Sequence, residues 1–221
     1  ISSIVILGIT VLLNNPSNKT NQSFFLMAIF AALWSFLNYY SSQGGSPEFF
    51  FWVLKVALFS AVWFVYFFYR FACLFSKEGA EDPKTSKPLF TLVALTSFAT
   101  LTPLVFIKIS EVSPTGQIVK LENGLGIILF GIVVVGLLLS GLYHIIRKSR
   151  SAVGAERSQF FSILVGAIIT FTLIIIFNYV FPVFFKDASF VQFGALFIFP
   201  FIALTFYAIR RHKLFDIKII T

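Results

Sequence analysis

Long apolar runs separated by short polar clusters dominate this chain. Seven runs occur, at residues 1–13, 24–40, 49–75, 88–107, 124–146, 160–181 and 190–209. Most are close to the ~20 apolar residues that a helix needs to cross a bilayer. The pattern predicts an all-α integral membrane protein, a bundle of seven transmembrane helices over residues 1–209 that is followed by a linker at 210–221.

Composition supports a membrane protein. Hydrophobic residues are 58% of the chain and charged residues 12%, whereas soluble domains are about 45–50% apolar and 25% charged. The formal net charge is +8, but the basic residues lie at the ends of apolar runs and not on one soluble face. Nucleic acid is therefore not an expected partner, and membrane lipids are.

The positions of lysine and arginine predict how the bundle is oriented. Most of the 17 basic residues fall in the segments 14–23, 76–87 and 147–159, in the tail from Arg210 onward, or at Arg70. Basic residues accumulate on the cytoplasmic side of membrane proteins. We therefore expect the N-terminus outside the cell and the C-terminus in the cytoplasm.

One outer segment has the pattern of two strands. Residues 107–112 and 117–122 alternate apolar with polar side chains, and Pro114 and Gly116 lie between them, as a type I turn favours. We expect an extracellular β-hairpin between the fourth and fifth helices, with an irregular loop as the alternative.

Pro103 and Pro200 lie within the predicted fourth and seventh helices, and each should kink its helix by removing a backbone hydrogen bond.

Lys55 is the most informative single residue. It lies inside the third run, where burying a charge costs on the order of 2.5–3.5 kcal/mol. Snorkelling of its stem to the interface is one explanation. The other is a cavity between helices two, three, six and seven, open to the outside, that binds a small polar molecule or a lipid. Its further lining residues would be Asn38, Tyr39, Asn178, Tyr179 and Gln192.

A second polar cluster is expected at the cytoplasmic end of the bundle. It consists of Arg70, Arg147, Arg157 and Gln159. Contact with anionic lipid headgroups explains basic residues at this level. Docking of a cytoplasmic domain is the alternative. Removing Gln159, which carries no charge, would distinguish the two explanations.

Four stretches of the sequence carry a family resemblance. They are Asn15-Pro16 with Asn18, Asn21, Phe24, Ala32 and Trp34; the glycine-rich fifth run that ends in Arg147-Lys148-Ser149; Arg157 and Gln159 leading to Gly166; and Tyr207-Ala208-Ile209-Arg210 with Leu214-Phe215-Asp216-Ile217. In this order along seven runs they resemble the N-terminal seven-transmembrane region of bacterial sensor histidine kinases. The resemblance covers essentially the whole chain.

The resemblance implies a multi-pass sensor of the bacterial cytoplasmic membrane that belongs to a two-component signalling system. In proteins of this type the sensor precedes a cytoplasmic output domain in the same polypeptide, such as a histidine kinase. Dimerisation is then expected through the output domains of the full-length protein.

The chain itself is expected to be neither an enzyme nor a cofactor or metal protein. A histidine kinase needs a phospho-accepting histidine followed by an acidic residue, whereas Ile145 follows His144 and Lys213 follows His212. A small membrane transporter or carrier is the alternative function. No Asp or Glu lies within a predicted run, although transporters commonly use such residues for ion coupling.

The seventh run and the tail after it are the expected path of the signal. Neither Gly nor Pro occurs between Pro200 and Ile217, which predicts a continuous rigid helix over residues 203–217. Movement about a kink at Pro200 would then reach the segment that adjoins the output domain. The residues expected to transmit it are Arg210, Leu214, Phe215, Asp216 and Ile217.

Overall fold

The computed structural model describes residues 1–41, 46–75, 83–112, 118–185 and 190–212. Within these ranges lie seven α-helices: α1 (Ser2–Asn14), α2 (Lys19–Ser41), α3 (Pro47–Leu74), α4 (Pro83–Thr100), α5 (Gly126–Ser151), α6 (Gly154–Ile175) and α7 (Gly194–His212). A π-helical segment, Ile176–Phe185, continues α6, and a 3-10 turn, Val191–Phe193, precedes α7. Two strands, β1 (Phe106–Val112) and β2 (Ile118–Asn123), lie between α4 and α5.

Four helical stretches are long and apolar enough to cross a membrane. They are Lys19–Ser41, Pro47–Leu74, Gly126–Ser151 and Glu156–Asn178. Ser2–Asn14 and Val191–Thr205 are apolar but shorter, and α4 begins with the polar sequence PKTSKP. By length and composition, the described residues therefore form a multi-pass membrane protein in which four spans are much stronger than the rest.

The central helix of the bundle is α3. It packs against α2, α4 and α5, and the Phe68 ring contacts Phe171 of α6 and Phe201 of α7, with centroids 4.9 and 6.1 Å away. Gly141 lets α5 approach closely, because a Cβ atom there would lie 2.7 Å from the Phe68 ring. Aromatic side chains of α3 thus lie between the surrounding helices and form much of the core.

The bundle has two ends, which we name by what they carry. The hairpin end contains the start of α3, where Phe51 contacts Phe106 of β1, together with the π segment. The tail end contains the end of α3, where Phe75 contacts Phe160 near the start of α6, together with the end of α7. Because α2 and α3 pack side by side in opposite directions, α2 begins at the tail end.

The two strands pair antiparallel with breaks in register. An exposed ion pair of 3.3 Å joins Lys108 of β1 to Glu122 of β2. The residues expected to form the turn, 113–116, lie outside the described residues, as does residue 117, where the second strand was expected to begin. The chain returns to α5 through Gly124, where a Cβ atom would lie 2.1 Å from the carbonyl oxygen of Leu104, so that only glycine fits this crossing.

The prediction that Pro103 lies within the fourth helix is wrong. α4 ends at Thr100. After it the hydrogen bonds span three residues, because the N–H groups of Leu101 and Thr102 donate to the carbonyls of Phe98 and Ala99. A proline disfavours the helical conformation of the residue before it. Pro103 therefore follows a helix end and kinks no helix. Pro200, in contrast, lies inside α7 as predicted.

The segment 147–159 was expected to be a loop and is almost wholly helical. α5 continues to Ser151 and α6 begins at Gly154, so only two residues connect them. Gly154 makes the tight connection with a positive φ of 59°, which glycine adopts without strain. Lysine and arginine in the last turn of α5 oppose the negative end of the helix dipole, so the charge that suggested a loop favours a longer helix.

Candidate functional site

Lys55 is buried at the hairpin end, with only 4% of its surface exposed. Its ammonium donates a hydrogen bond of 3.5 Å to the carbonyl of Leu101, just after α4 ends. It also lies 4.5 and 4.9 Å from the ring centroids of Phe51 and Trp52, at distances that give cation–π attraction. The hydroxyl of Thr100 in turn donates to the Lys55 carbonyl at 3.4 Å. The ring contacts of Lys55 lie within α3, and its hydrogen bond to Leu101 joins α3 to the residue that follows α4.

The other residues of the predicted ligand cavity lie elsewhere at this end. Asn38 is 5% exposed, and its amide nitrogen would be 3.7 Å from a Cβ atom at Gly194, so it faces the start of α7. The 3-10 turn that contains Gln192 packs on α2, and Tyr39 is half exposed. The structure thus brings Asn38 close to the start of α7 and to the 3-10 turn that contains Gln192.

Asn178 lies in the π segment. Both polar atoms of its amide are buried, and neither has a hydrogen-bond partner within the described part of the chain. Pro182 follows Asn178 by four residues in this segment and has no N–H group to donate to the Asn178 carbonyl. π-Helical turns are frequently found at functional sites. The side chain of the neighbouring Tyr179 lies outside the described residues.

Three phenylalanine rings surround Phe177, which also lies in the π segment. The Phe177 ring lies 5.3, 5.1 and 5.0 Å from the rings of Phe181, Phe190 and Phe197. This cluster joins the π segment to the start of α7. A displacement of the π segment would therefore act directly on the start of α7.

The contact between α6 and α7 continues at Pro200. The N–H of Phe201 donates a hydrogen bond of 3.1 Å to the hydroxyl of Thr170, which is 1% exposed. One turn away, Gly166 lies against the same point, because a Cβ atom there would be 3.0 Å from the Phe201 Cα and 3.2 Å from the Pro200 carbonyl oxygen. Threonine hydroxyls commonly satisfy backbone groups that a proline frees inside a membrane helix. Sequence reasoning found Pro200 but missed Thr170.

The predicted cytoplasmic cluster is spread over three helices at the tail end. Arg70 of α3 lies over the Tyr66 ring at 5.9 Å, Arg147 of α5 and Arg157 of α6 are exposed, and Gln159 is 9% exposed. Leu214, Phe215, Asp216 and Ile217, which were predicted to transmit the signal, lie outside the described residues, as does the side chain of Arg210.

Lys148, which the sequence marked only as part of a resemblance stretch, bonds to three carbonyls at the tail end. Its ammonium donates three hydrogen bonds to backbone carbonyls at the end of α3, those of Ala72, Cys73 and Phe75, at 3.0, 2.5 and 2.9 Å. The hydroxyl of Thr20 donates to the Leu74 carbonyl at 3.1 Å. The last carbonyls of a helix have no partner within it, so α5 and α2 together complete the end of α3.

The asparagines of the first resemblance stretch form the turn before α2. The side-chain oxygen of Asn18 accepts hydrogen bonds from the N–H groups of Thr20 at 2.8 Å and Asn21 at 3.3 Å, which is the arrangement of a helix N-cap. The amide of Asn21 donates to the Asn15 carbonyl at 3.1 Å. These hydrogen bonds fix the turn that connects the end of α1 to the start of α2 at the tail end.

The family comparison gives a match over nearly the whole chain. The model of a family described as the N-terminal 7TM region of histidine kinase matches residues 1–218. Comparisons with curated proteins and with solved structures found no match. The family match spans nearly the whole sequence and confirms the resemblance that the four stretches carry. The chain therefore belongs to the family of N-terminal seven-transmembrane regions of histidine kinases.

Proposed function

We propose that this chain is the membrane-embedded sensor of a histidine kinase and passes a signal from the hairpin end through α7 to a cytoplasmic output domain in the same polypeptide. Family membership supports the kinase context. The observation that carries the transmission step is the hydrogen bond from the Phe201 N–H to the Thr170 hydroxyl. It ties α7 to α6 one residue after Pro200, so that movement of α6 is transferred to α7.

The proposal includes a topology. The N-terminus and the strands β1 and β2 lie outside the cell, all seven helices are embedded in the bacterial cytoplasmic membrane, and α7 leaves it on the cytoplasmic side. Its support is the excess of lysine and arginine at the tail end together with the seven-transmembrane description of the family. Catalysis would then belong to the output domain and not to residues 1–218.

The stimulus acts in this proposal at the π segment. Asn178 supports this position, because its buried amide has no hydrogen-bond partner among the described residues, and a hydrogen-bonding ligand would restore the free energy that this costs. Asn38 and Gln192 lie on the neighbouring α2 side and supply further polar groups. Lys55 acts as a positioning residue for α4. A small polar molecule or a lipid headgroup is the matching class of ligand.

A substitution at Thr170 tests the transmission step. We expect Thr170→Val in the full-length protein to change the basal rate of autophosphorylation in nanodiscs about threefold or more, since a hydrogen bond between membrane helices contributes about 0.6 kcal/mol on average and up to about 1.7. Thr170→Ser keeps the hydroxyl and should retain the wild-type rate.

Thr172→Val is the matched control, because Thr172 is on the same helix and exposed. Its rate should equal that of the wild type. An unchanged rate in Thr170→Val, with the protein folded and inserted, would contradict the proposal that α6 drives α7 at this point.

A further inference from the structure

His144 lies where α5 contacts α3 at the tail end. Its ring meets the Tyr69 ring of α3 edge to face, with centroids 5.8 Å apart and an angle of 69° between the two planes. The side chain of His144 is only partly buried. It therefore contacts the neighbouring helix and is still reached by water, from which its imidazole can take a proton.

His144 lies one turn before Lys148 on the same helix. Side chains four residues apart share one face of an α-helix, with Cβ atoms about 5–6 Å apart. The two side chains contact successive turns of α3, because His144 meets Tyr69 whereas Lys148 donates to the carbonyls of Ala72 and Cys73. A charge on His144 would thus be close to the ammonium that completes the end of α3.

The charges that act on His144 within the described part of the chain are both positive. They belong to Arg147 and Lys148, three and four residues farther along α5. The helices that pack against α5 are α3, α4 and α6. The other titratable or charged side chains described for them at this end are Tyr66, Arg70, Cys73, Lys87, Glu156 and Arg157. Glu156, the acidic one, is exposed in the first turn of α6, so no described carboxylate offsets a positive charge on His144.

Histidine changes its charge near neutral pH. An imidazole ordinarily binds a proton below about pH 6.5, and like charges one turn apart on a helix repel each other. A proton on His144 therefore repels the Lys148 ammonium and weakens its hydrogen bonds to the end of α3. The contact between α5 and α3 is strongest while His144 is neutral, and it weakens as the pH falls.

We propose that His144 is a pH-sensitive switch that controls how firmly Lys148 holds the end of α3. Neutral His144 leaves the three hydrogen bonds of Lys148 intact, and protonated His144 loosens this helix end. Phe75 at the same end contacts Phe160 of α6, with ring centroids 4.9 Å apart, so the loosening reaches α6. That it then changes the output, and that the protons come from the cytoplasm, rests on the proposed function and topology.

Two variants that fix the charge at position 144 test the switch. His144→Gln is always neutral, and His144→Lys is positive at both pH values used. Hydrogen–deuterium exchange of the full-length protein in nanodiscs would measure the protection of the Phe75 N–H, which donates to the Phe71 carbonyl, after correction for the intrinsic pH dependence of exchange. We expect wild-type protection to fall about twofold or more from about pH 7.5 to about pH 5.5. His144→Gln should keep the higher value at both pH values, and His144→Lys the lower one.

His212→Gln is the matched control, because it removes the only other histidine of the chain and should leave the pH dependence as in the wild type. The same pH dependence in the wild type and in His144→Gln, or high protection in His144→Lys at both pH values, would overturn the switch. Autophosphorylation of the same samples tests the link to the output separately. If protection responds as expected while the wild type and His144→Gln keep the same ratio of rates at both pH values, the switch is confirmed and the transfer of its signal to the output domain is contradicted.

Discussion

Lysine side chains hold the C-terminal carbonyls of a neighbouring helix at both ends of this bundle, but in different ways. At the hairpin end, Lys55 donates one hydrogen bond of 3.5 Å to Leu101 and rests against two aromatic rings. At the tail end, Lys148 donates three bonds of 2.5 to 3.0 Å to the last carbonyls of α3. Hydrogen bonds weaken with distance, so the tail-end contact should stabilise the bundle much more.

The difference shows that the depth of a charge and its contribution to stability are separate properties. Lys55 is 4% exposed, and its contacts must first offset the cost of burying the ammonium. Lys148 is partly exposed and keeps access to water while it bonds three carbonyls. We therefore expect the fold to depend less on Lys55, which looks most unusual in the sequence, than on Lys148.

Replacing Lys148 is expected to give the largest effect. Lys148→Met leaves three carbonyls at the end of α3 without this donor, and an unsatisfied buried polar group costs about 1–3 kcal/mol. Because water reaches part of the site, we expect a total loss of about 3 kcal/mol in the free energy of unfolding. Equilibrium unfolding in mixed micelles would measure it.

Arg150→Met is the control for losing a cation from the last turn of α5, and it should cost less than about 0.5 kcal/mol. If Lys148→Met is no more costly than Arg150→Met, the three hydrogen bonds do not hold the end of α3 and the comparison between the two lysines fails.

Replacing Lys55 should have a smaller effect. Lys55→Met removes the bond to Leu101 and the attraction to two rings, but it also removes the cost of a buried charge. Replacing buried charges by apolar groups of similar volume is often close to neutral, so we expect a loss of about 1 kcal/mol or less. The same unfolding measurement applies, and a loss larger than that of Lys148→Met would reverse the order proposed here.

Much of the fold is predictable from the sequence. The apolar runs locate the four strongest spans and the centres of the other helices, because helix burial in a membrane requires unbroken apolar stretches. Alternation locates the two strands on either side of residues 113–117. Boundaries are less predictable: the Lys and Arg residues of segment 147–159 suggested a loop, although they extend α5 and α6.

The site depends on packing that a single sequence does not encode locally. Lys148 belongs to a basic cluster, and the orientation of the protein in the membrane is enough to explain such a cluster in the sequence. Its three acceptors are about 75 residues earlier in the chain. Thr170 is one of several threonines in apolar runs, and only the pairing of α6 with α7 shows that it bonds the N–H after Pro200.

The smallest expected effect is that of Thr20, which shares the end of α3 with Lys148. Thr20→Val removes one hydrogen bond of 3.1 Å to the Leu74 carbonyl and should cost about 0.6 kcal/mol, the average for such bonds between membrane helices. Thr10→Val is the control, because the Thr10 hydroxyl donates to the carbonyl of Ile6 on its own helix. In a double-mutant cycle, the loss in free energy of unfolding caused by Thr20→Val should be about 0.5 kcal/mol smaller when Lys148 is already Met. The reason is that the end of α3 would then fray, and the Leu74 carbonyl would no longer lie where Thr20 can bond to it. Additive losses would show instead that α2 and α5 hold this helix end independently.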